Sequence, residues 1–594
     1  MRRGGQGADP WALPSDTDFR FVLLVAVALG VTLYVYNVLF FALAGGGIAA
    51  LEVYGRCDGV ATAAARRAAA GEVRGPGPDP LRVAALRLAA FERCIGPVRV
   101  ATAAWMVGGG TAVALLAGAL YWTYPARQLR RHRLSPLPPE DAPEVLRTLE
   151  GLSREAGLAA PPRFVWNPLR ASASGLAFGR VGRYYVALNG GLVVQHYTDP
   201  PAFRAVVLHE LAHLRNGDVD KTYFALATWQ AFVALALVPY LLSLAGQSFS
   251  WAVAVTWRVL LLSALLFLTR NALLRTRELY ADARAGAWEG PPGALRRVLG
   301  ALSPPVGHKE EGPAWRRRAR PLLRLHPPPE ERVQALDDPR RLFRLGFWEA
   351  CGAGIATTVA APHVATLLRT AGLTGAGVAS AAVGAALVFA PLAAGVLALG
   401  AWRVAPGGAP GAAPGREREK GKGWPSLRPV GLGLGAGFLA GRLLSFESVV
   451  SADRLAGAAP GTGLATAWID LTLALALLGG TLALLWWLGL SARAWLPVVG
   501  GSRSALRLGF GVSLAGAALA LALLLGVLFT AQEAGALLLP RALPGGAVAA
   551  AGMAVSGALR LLLAQPLVGV ALLALVAVPA LGRLWQGFGP QRQD

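Results

Sequence analysis

The chain holds only seven histidines in 594 residues, and two of them stand four apart around a glutamate, in His209-Glu210-Leu211-Ala212-His213. On a helix that spacing puts both imidazoles one turn apart on one face, within reach of a single Zn²⁺. Glu210 projects beside them, placed to accept a proton from water at the metal, which is the chemical content of the H-E-x-x-H pattern. The plain alternative is a surface helix with a satisfied histidine pair, and the scarcity of histidine argues against it. The extended form H-E-x-x-H-x-x-G-x-x-H is excluded, because Asn216 and Val219 occupy the positions of its glycine and third histidine. A third ligand must therefore come from elsewhere. Glu278 and Asp282, in "RTRELYADARAG", are also four apart and share a helical face. Glu278 would complete a two-histidine, one-glutamate set with the fourth position left to water, and Asp282 would hold a ligand imidazole from behind. Taken alone, the two carboxylates also fit a solvated helix face.

The elements that position these residues are set by an apolar composition. Hydrophobic residues make up 54% of the chain and charged residues 15%, which points to a multispanning membrane protein. Ten apolar runs approach or exceed the roughly 20 residues needed to cross a bilayer. They lie near 21–44, 100–124, 222–245, 251–269, 347–368, 376–402, 429–449, 464–489, 508–531 and 560–582. The first is too long for a signal-peptide core and reads as an uncleaved anchor. A net charge of +23 could indicate nucleic-acid binding, but the basic residues cluster at the ends of runs, as in "RQLRRHR", "RNALLRTR" and "REREKGKG". No nucleic-acid partner is expected. With an even number of spans, both termini and these basic segments face the cytoplasm. The outer loop at 45–99 carries eight arginines against that rule, which long loops obey weakly. Cys57 and Cys94 fall in this loop, where oxidising conditions could join them or leave two thiols. Cys351 lies in an apolar run.

Two stretches, 125–221 and 270–345, are polar enough to fold in water and flank the run pair at 222–269. Three domains follow: residues 1–124 with two spans and the outer loop, 125–345 as one catalytic domain interrupted by a transmembrane hairpin at 222–269, and 346–594 with six spans and a flexible linker at 403–428. Within the catalytic domain, "EVLRTLEGLSREAGL" has helical periodicity, while "PRFVWNP" and "GRYYVALNGGLVVQ" read as strands, giving an α+β arrangement. "GLGLGAG" at 431–437 resembles a nucleotide loop but sits in an apolar run, so close helix packing explains it better. Asp470 is an intramembrane carboxylate, either functional or paired with Arg442.

The combination "HELAHLRNGD", a membrane hairpin, "ELYAD" and "HPPPEER" at 326–332 resembles the HtpX and CAAX-prenyl-protease family of membrane gluzincins. HtpX is the nearer pattern, with two leading spans and a hairpin between the ligand segments; the similarity covers 20–340. The resemblance implies a cytoplasmic, zincin-like α+β metallopeptidase domain binding one Zn²⁺ through His209, His213 and Glu278, with Glu210 as base and Asp282 behind the ligands. It places His326 and Arg332 near the active site. His326 is assigned to transition-state stabilisation, with capping or packing in a Pro-rich turn as the alternative. The substrates implied are peptide bonds of membrane or misfolded proteins at the cytoplasmic face of the cell membrane. The strand at 184–190 is expected to offer its edge to an extended substrate. "NPLRASASGLAFG" (167–179) matches the family's run before the substrate-side strand loosely, and residues 345–594 have no counterpart in the HtpX pattern. Alternatives are a BlaR/MecR-like signalling metalloprotease, or a transporter-like or scaffold protein with a regulatory protease domain.

Overall fold

The structure, a computed structural model, describes residues 13–43, 47–71, 80–140, 142–290, 293–302, 322–338, 342, 345–373, 378–404, 428–446, 448, 462–496, 503–538, 556, 560, 563 and 566–588. The linker between 405 and 427 lies outside them, as does the side chain of Asp470. Among the described residues, nine helices are long and apolar enough to cross a membrane. Within the tenth predicted run, 429–449, the helix Arg428–Leu444 has 17 residues, and 447 and 449 lie outside the described residues. At 1.5 Å per residue it extends about 26 Å, short of the ~30 Å hydrocarbon core. Its "GLGLGAG" is a packing face: a Cβ on Gly437 would sit 2.1 Å from the Cys351 carbonyl oxygen of the helix Phe347–Thr370. Only glycine allows that approach.

The N-terminal part is more helical than expected. Helix α1 (Asp16–Leu43) is followed by α2 (Gly47–Gly71) and by α3 (Pro80–Arg131), a 52-residue helix. At about 78 Å, α3 exceeds any bilayer thickness and projects from it. The predicted outer loop is therefore largely a helical hairpin of α2 and the first half of α3. Phe91, Ile95 and Ala61 pack between its arms, and Cys57 and Cys94 join them in a disulfide.

The polar region between α3 and the membrane hairpin is built on a four-stranded sheet ordered β1-β2-β4-β3, with β1 Ser135–Pro136, β2 Arg163–Asn167, β3 Gly175–Arg180 and β4 Arg183–Asn189. β2 and β4 are parallel; β3 pairs antiparallel with β4. Alternation along β4 sends Val186 and Leu188 to one face, against α4 (Pro143–Glu155) and α6 (Pro200–Arg215). Tyr185 and Ala187 go to the other face, with Phe178, Val219 and Tyr223. Two expectations change here. The strand predicted through 195 stops at Asn189, and "GGLVVQHYT" is the helix α5 (Gly190–Thr198), because Gly190 and Gly191 bring the chain against the backbone of Pro168 and Ala171. β4 also lies between two partners and has no free edge, so it cannot receive a substrate strand; the outer strand beside it is β3, to whose residues the sequence pattern assigns no strand.

The helix pair behind the site is tied to α1. The chain continues from α7 (Asp218–Phe232) through a π-helical turn at Val233–Leu237 to α8 (Val238–Ser243), which contains Pro239. Proline has no N–H for the carbonyl four residues back, which is Leu235. The Tyr36 hydroxyl of α1 donates to that carbonyl at 2.7 Å. Helix α9 (Phe249–Glu289) then returns unbroken for 41 residues, so Glu278 and Asp282 ride on the extension of a membrane helix. Beyond it come α10 (Ala294–Ala301), α11 (Pro329–Asp337), α12 (Phe347–Thr370), α13 (Val378–Val404), α14 (Arg428–Leu444), α15 (Thr462–Trp495), α16 (Arg503–Leu538) and α17 (Pro566–Phe588).

Candidate metal centre and active site

α6 carries the histidine pair because its ends are fixed. Asp199 caps it by accepting from the Ala202 N–H at 3.2 Å, and Pro200 and Pro201 occupy its first turn. At the other end Gly217, in the left-handed conformation at φ 66°, turns the chain directly into α7. That turn brings Asp218 back beneath His213. The ligand-bearing parts of α6 and α9 then face each other, with His209, His213 and Glu278 all buried.

The three side chains present ligand atoms that lie within 4.8 Å of one another. Glu278 Oε2 is 3.7 Å from His209 Nε2, and Oε1 is 3.6 Å from His213 Nε2. Donors on a tetrahedral zinc with bonds of about 2.1 Å are separated by about 3.4 Å, so both glutamate–histidine separations are close to those of a set that holds the ion. Glu278 Oε1 is buried without a hydrogen bond, with Arg277 Nη2 3.2 Å away as an ion-pair partner. A buried acceptor left open among two imidazoles fits a metal ligand.

Each imidazole turns its other nitrogen to a carboxylate. His209 Nδ1 is 2.9 Å from Asp282 Oδ1, and His213 Nδ1 is 3.5 Å from Asp218 Oδ2. This leaves Nε2 of both rings toward Glu278. Asp282 is fully buried and held by a two-pronged bond from Arg332, whose Nε and Nη2 both donate at 2.7 Å. Burial alone would push the His209 imidazole down, but the Asp282 carboxylate outweighs it and raises the group to about 10. A metal must displace that proton on binding.

Glu210 lies at the sheet edge. Its Oε2 accepts the Ala177 N–H of β3 at 2.6 Å, and a Cβ on Gly175 would come within 2.9 Å of its Cγ. Glycine at 175 is what lets the carboxylate sit against the strand. The Ala177 carbonyl accepts from the Tyr223 hydroxyl at 3.3 Å, so the edge at this residue is engaged through both polar groups. His326 is the most exposed member, at 61%, with Nδ1 3.5 Å from Glu278 Oε2. Asn271 and Arg275, one turn apart on α9, hold the approach to it: Asn271 Nδ2 donates to the Leu322 and Leu323 carbonyls, and Arg275 to those of Leu322 and Arg324.

The structure thus gathers His209, Glu210, His213, Glu278, Asp282, His326 and Arg332 in one place. Sequence reading passed over Asp218, Gly175, Ala177 and Tyr223 as site residues. Asp218 belongs to the quoted "HELAHLRNGD", but its return to His213 depends on the left-handed Gly217. The strand residues had no local signal, because an outer strand of glycine and alanine looks like loop.

Residues 139–340, which include all of these groups, match the model of Peptidase family M48. The chain carries an HtpX-like M48 peptidase domain. Protease HtpX homolog of Syntrophobacter fumaroxidans is 27% identical over 238 residues, covering 36% of this chain and 83% of that protein. Protease HtpX of Pseudomonas putida strain F1 is 29% identical over 209 residues, or 32% of this chain and 70% of that protein. Protease HtpX of Pseudomonas paraeruginosa is 29% identical over 213 residues, 32% and 71% respectively. No solved structure matches. M48 peptidases are metal-dependent proteases, so with nine apolar helices among its described residues the molecule is a membrane metalloprotease. The M48 domain accounts for about a third of the chain, and the helices beyond residue 346 lie outside the matched segment.

Proposed function

We propose that the M48 domain is a zinc endopeptidase that cuts membrane proteins, or misfolded segments leaving the bilayer, at the cytoplasmic surface. The observation that carries this reading is the buried His209, His213 and Glu278 cluster with Glu210 beside it. When bound there, zinc supplies Lewis acidity toward the scissile carbonyl and toward water. The chain's own groups do the rest. Glu210 takes the proton from the attacking water and delivers it to the departing amine nitrogen. Arg332 fixes Asp282, and Asp282 fixes the His209 ring and its tautomer. His326, exposed beside Glu278, donates to the developing oxyanion. A substrate backbone lies along the outer strand β3 rather than β4, taking the place of Glu210 and Tyr223 at the Ala177 edge groups.

The orientation has two supports. The basic segments at 127–133 and 270–277 lie at the site-side ends of the apolar runs of α3 and α9. In addition, α1 runs from Asp16, which contacts Tyr280 between the two α9 carboxylates, to Ala42, whose carbonyl accepts from Gln247 at the far end of the hairpin. The Cys57–Cys94 disulfide belongs to the helices beyond that far end. Disulfides persist in oxidising compartments, which supports a reducing, cytoplasmic side for the metal centre.

The decisive experiment compares zinc content and hydrolysis of a membrane-protein substrate for wild type and Glu210→Gln in detergent. The expected result is one zinc in both, with turnover in the variant lowered by about 10²- to 10⁴-fold. Equal rates would remove Glu210 from the chemistry, and absence of zinc from wild type would remove the metal.

A further inference from the structure

The C-terminal membrane helices take no part in the reaction as derived, yet they are joined to the framework of the metal centre. The joint is the first two turns of α1. Asp16, 1% exposed, forms an ion pair with Arg403, which is 8% exposed and lies at the end of α13. The same guanidinium donates to the Pro14 carbonyl at 2.7 Å. The Asp16 N–H donates to the Tyr280 hydroxyl at 3.2 Å, and that hydroxyl donates to the Leu342 carbonyl at 3.3 Å. Tyr280 stands on α9 midway between Glu278 and Asp282. Asp18 pairs with Lys221, whose Nζ is also 3.9 Å from Oδ1 of Asp218, the carboxylate beneath His213. Arg20 closes the set by pairing with Glu349 of α12 at 2.8 Å. Three charges at one helix end therefore reach two C-terminal helices and both halves of the ligand set.

A buried ion pair is a poor device for stability alone, since desolvation offsets most of its Coulomb gain and an apolar pair would hold two helices as well. What it adds is a fixed register: the carboxylate and guanidinium meet in one geometry only. We propose that Asp16 and Arg403 are positioning residues, through which the C-terminal membrane domain sets the placement of Tyr280, and with it Glu278 and Asp282, against the histidine helix. Asp18 and Lys221 make the parallel link to Asp218 and His213. Zinc retention and turnover then depend on helices that contribute no ligand. The inference rests on the zinc-peptidase reading of the site.

The test uses the full chain in lipid nanodiscs and measures zinc retention against a chromophoric chelator, alongside kcat and KM on a fluorogenic peptide. Arg403→Gln and Asp16→Asn should each weaken zinc binding about tenfold, near the lower end for groups that act on ligands from outside. They should lower kcat while KM stays within about twofold, since neither touches substrate. The double variant should be no worse than the worse single one, because both remove one shared interaction. Arg403→Lys should recover most of the zinc affinity. Folded single variants that hold zinc and turn over like wild type overturn the proposal, and so do single effects that multiply in the double variant. Should Arg403→Gln fail to fold, Asp16→Asn, which keeps the shape of the buried pair, decides it: unchanged zinc affinity and kcat overturn the coupling. A wild type without zinc defeats the peptidase reading itself, whereas a zinc-bound wild type with indifferent variants defeats only the coupling.

Discussion

The metal centre and the C-terminal helices are held by opposite means. Around the site, directional contacts between charges dominate: His209 to Asp282, Asp282 to Arg332, His213 to Asp218. In the C-terminal helices small residues dominate, as where Gly437 of α14 lies on the backbone of α12 and Gly354 of α12 lies on that of α14. Charge pairs demand particular residue types at particular spacings. Small-residue packing demands only that nothing large be present. The first kind of contact specifies chemistry, and the second specifies proximity.

Substitutions should separate the two regions by what they change. Asp282→Asn removes the carboxylate from His209 and leaves Arg332 without its two-pronged partner. Zinc affinity should fall by about 10- to 100-fold, read by chelator competition. A variant that retains zinc as wild type does would show that His209 is oriented by packing alone. By contrast, Gly437→Val should leave the zinc stoichiometry at one and act on stability. Its Cβ would meet the Cys351 carbonyl oxygen at 2.1 Å, and backbone cannot swing aside as a side chain can. Overpacking of this kind costs about 1–3 kcal/mol and should appear as a lower unfolding temperature. An unchanged melting curve would mean that α14 is not seated on α12 through this face.

The same contrast governs how much could be read from the sequence. His209 and His213 were legible because helical spacing places them on one face with Glu210 beside them, and Glu278 with Asp282 because a second four-residue spacing occurs beside a membrane run. The membrane class was legible from apolar run length. β3 was not legible. "GLAFG" has little strand propensity, and its place at the sheet edge is set by pairing with β4 and by the approach of Glu210 over Gly175. The helical hairpin of α2 and α3 was hidden for another reason, since its alanines and arginines form helix without a long apolar run. The contacts of Asp16 with Tyr280 and Arg403 join positions 264 and 387 residues apart, a distance no local pattern encodes.

The smallest predicted effect lies within the site, where the two imidazoles are not held alike. His209 faces Asp282 across 2.9 Å as an ion pair, and Asp282 is itself gripped by Arg332, whereas Asp218 stands 3.5 Å from His213 at the outer limit of a hydrogen bond. Asp218 is equally inaccessible to water, so the difference is one of contact rather than exposure. A longer, weaker contact contributes less orientation, and Lys221 shares the carboxylate's attention from 3.9 Å. Asp218→Asn keeps the shape and should therefore lower zinc affinity only by about two- to fivefold, the worth of an ordinary hydrogen bond. Measured beside Asp282→Asn in one chelator series, an equal or larger loss would mean that metal binding draws Asp218 onto His213. The two halves of the ligand set would then be equivalent in the loaded enzyme, and the asymmetry would belong to the metal-free geometry alone.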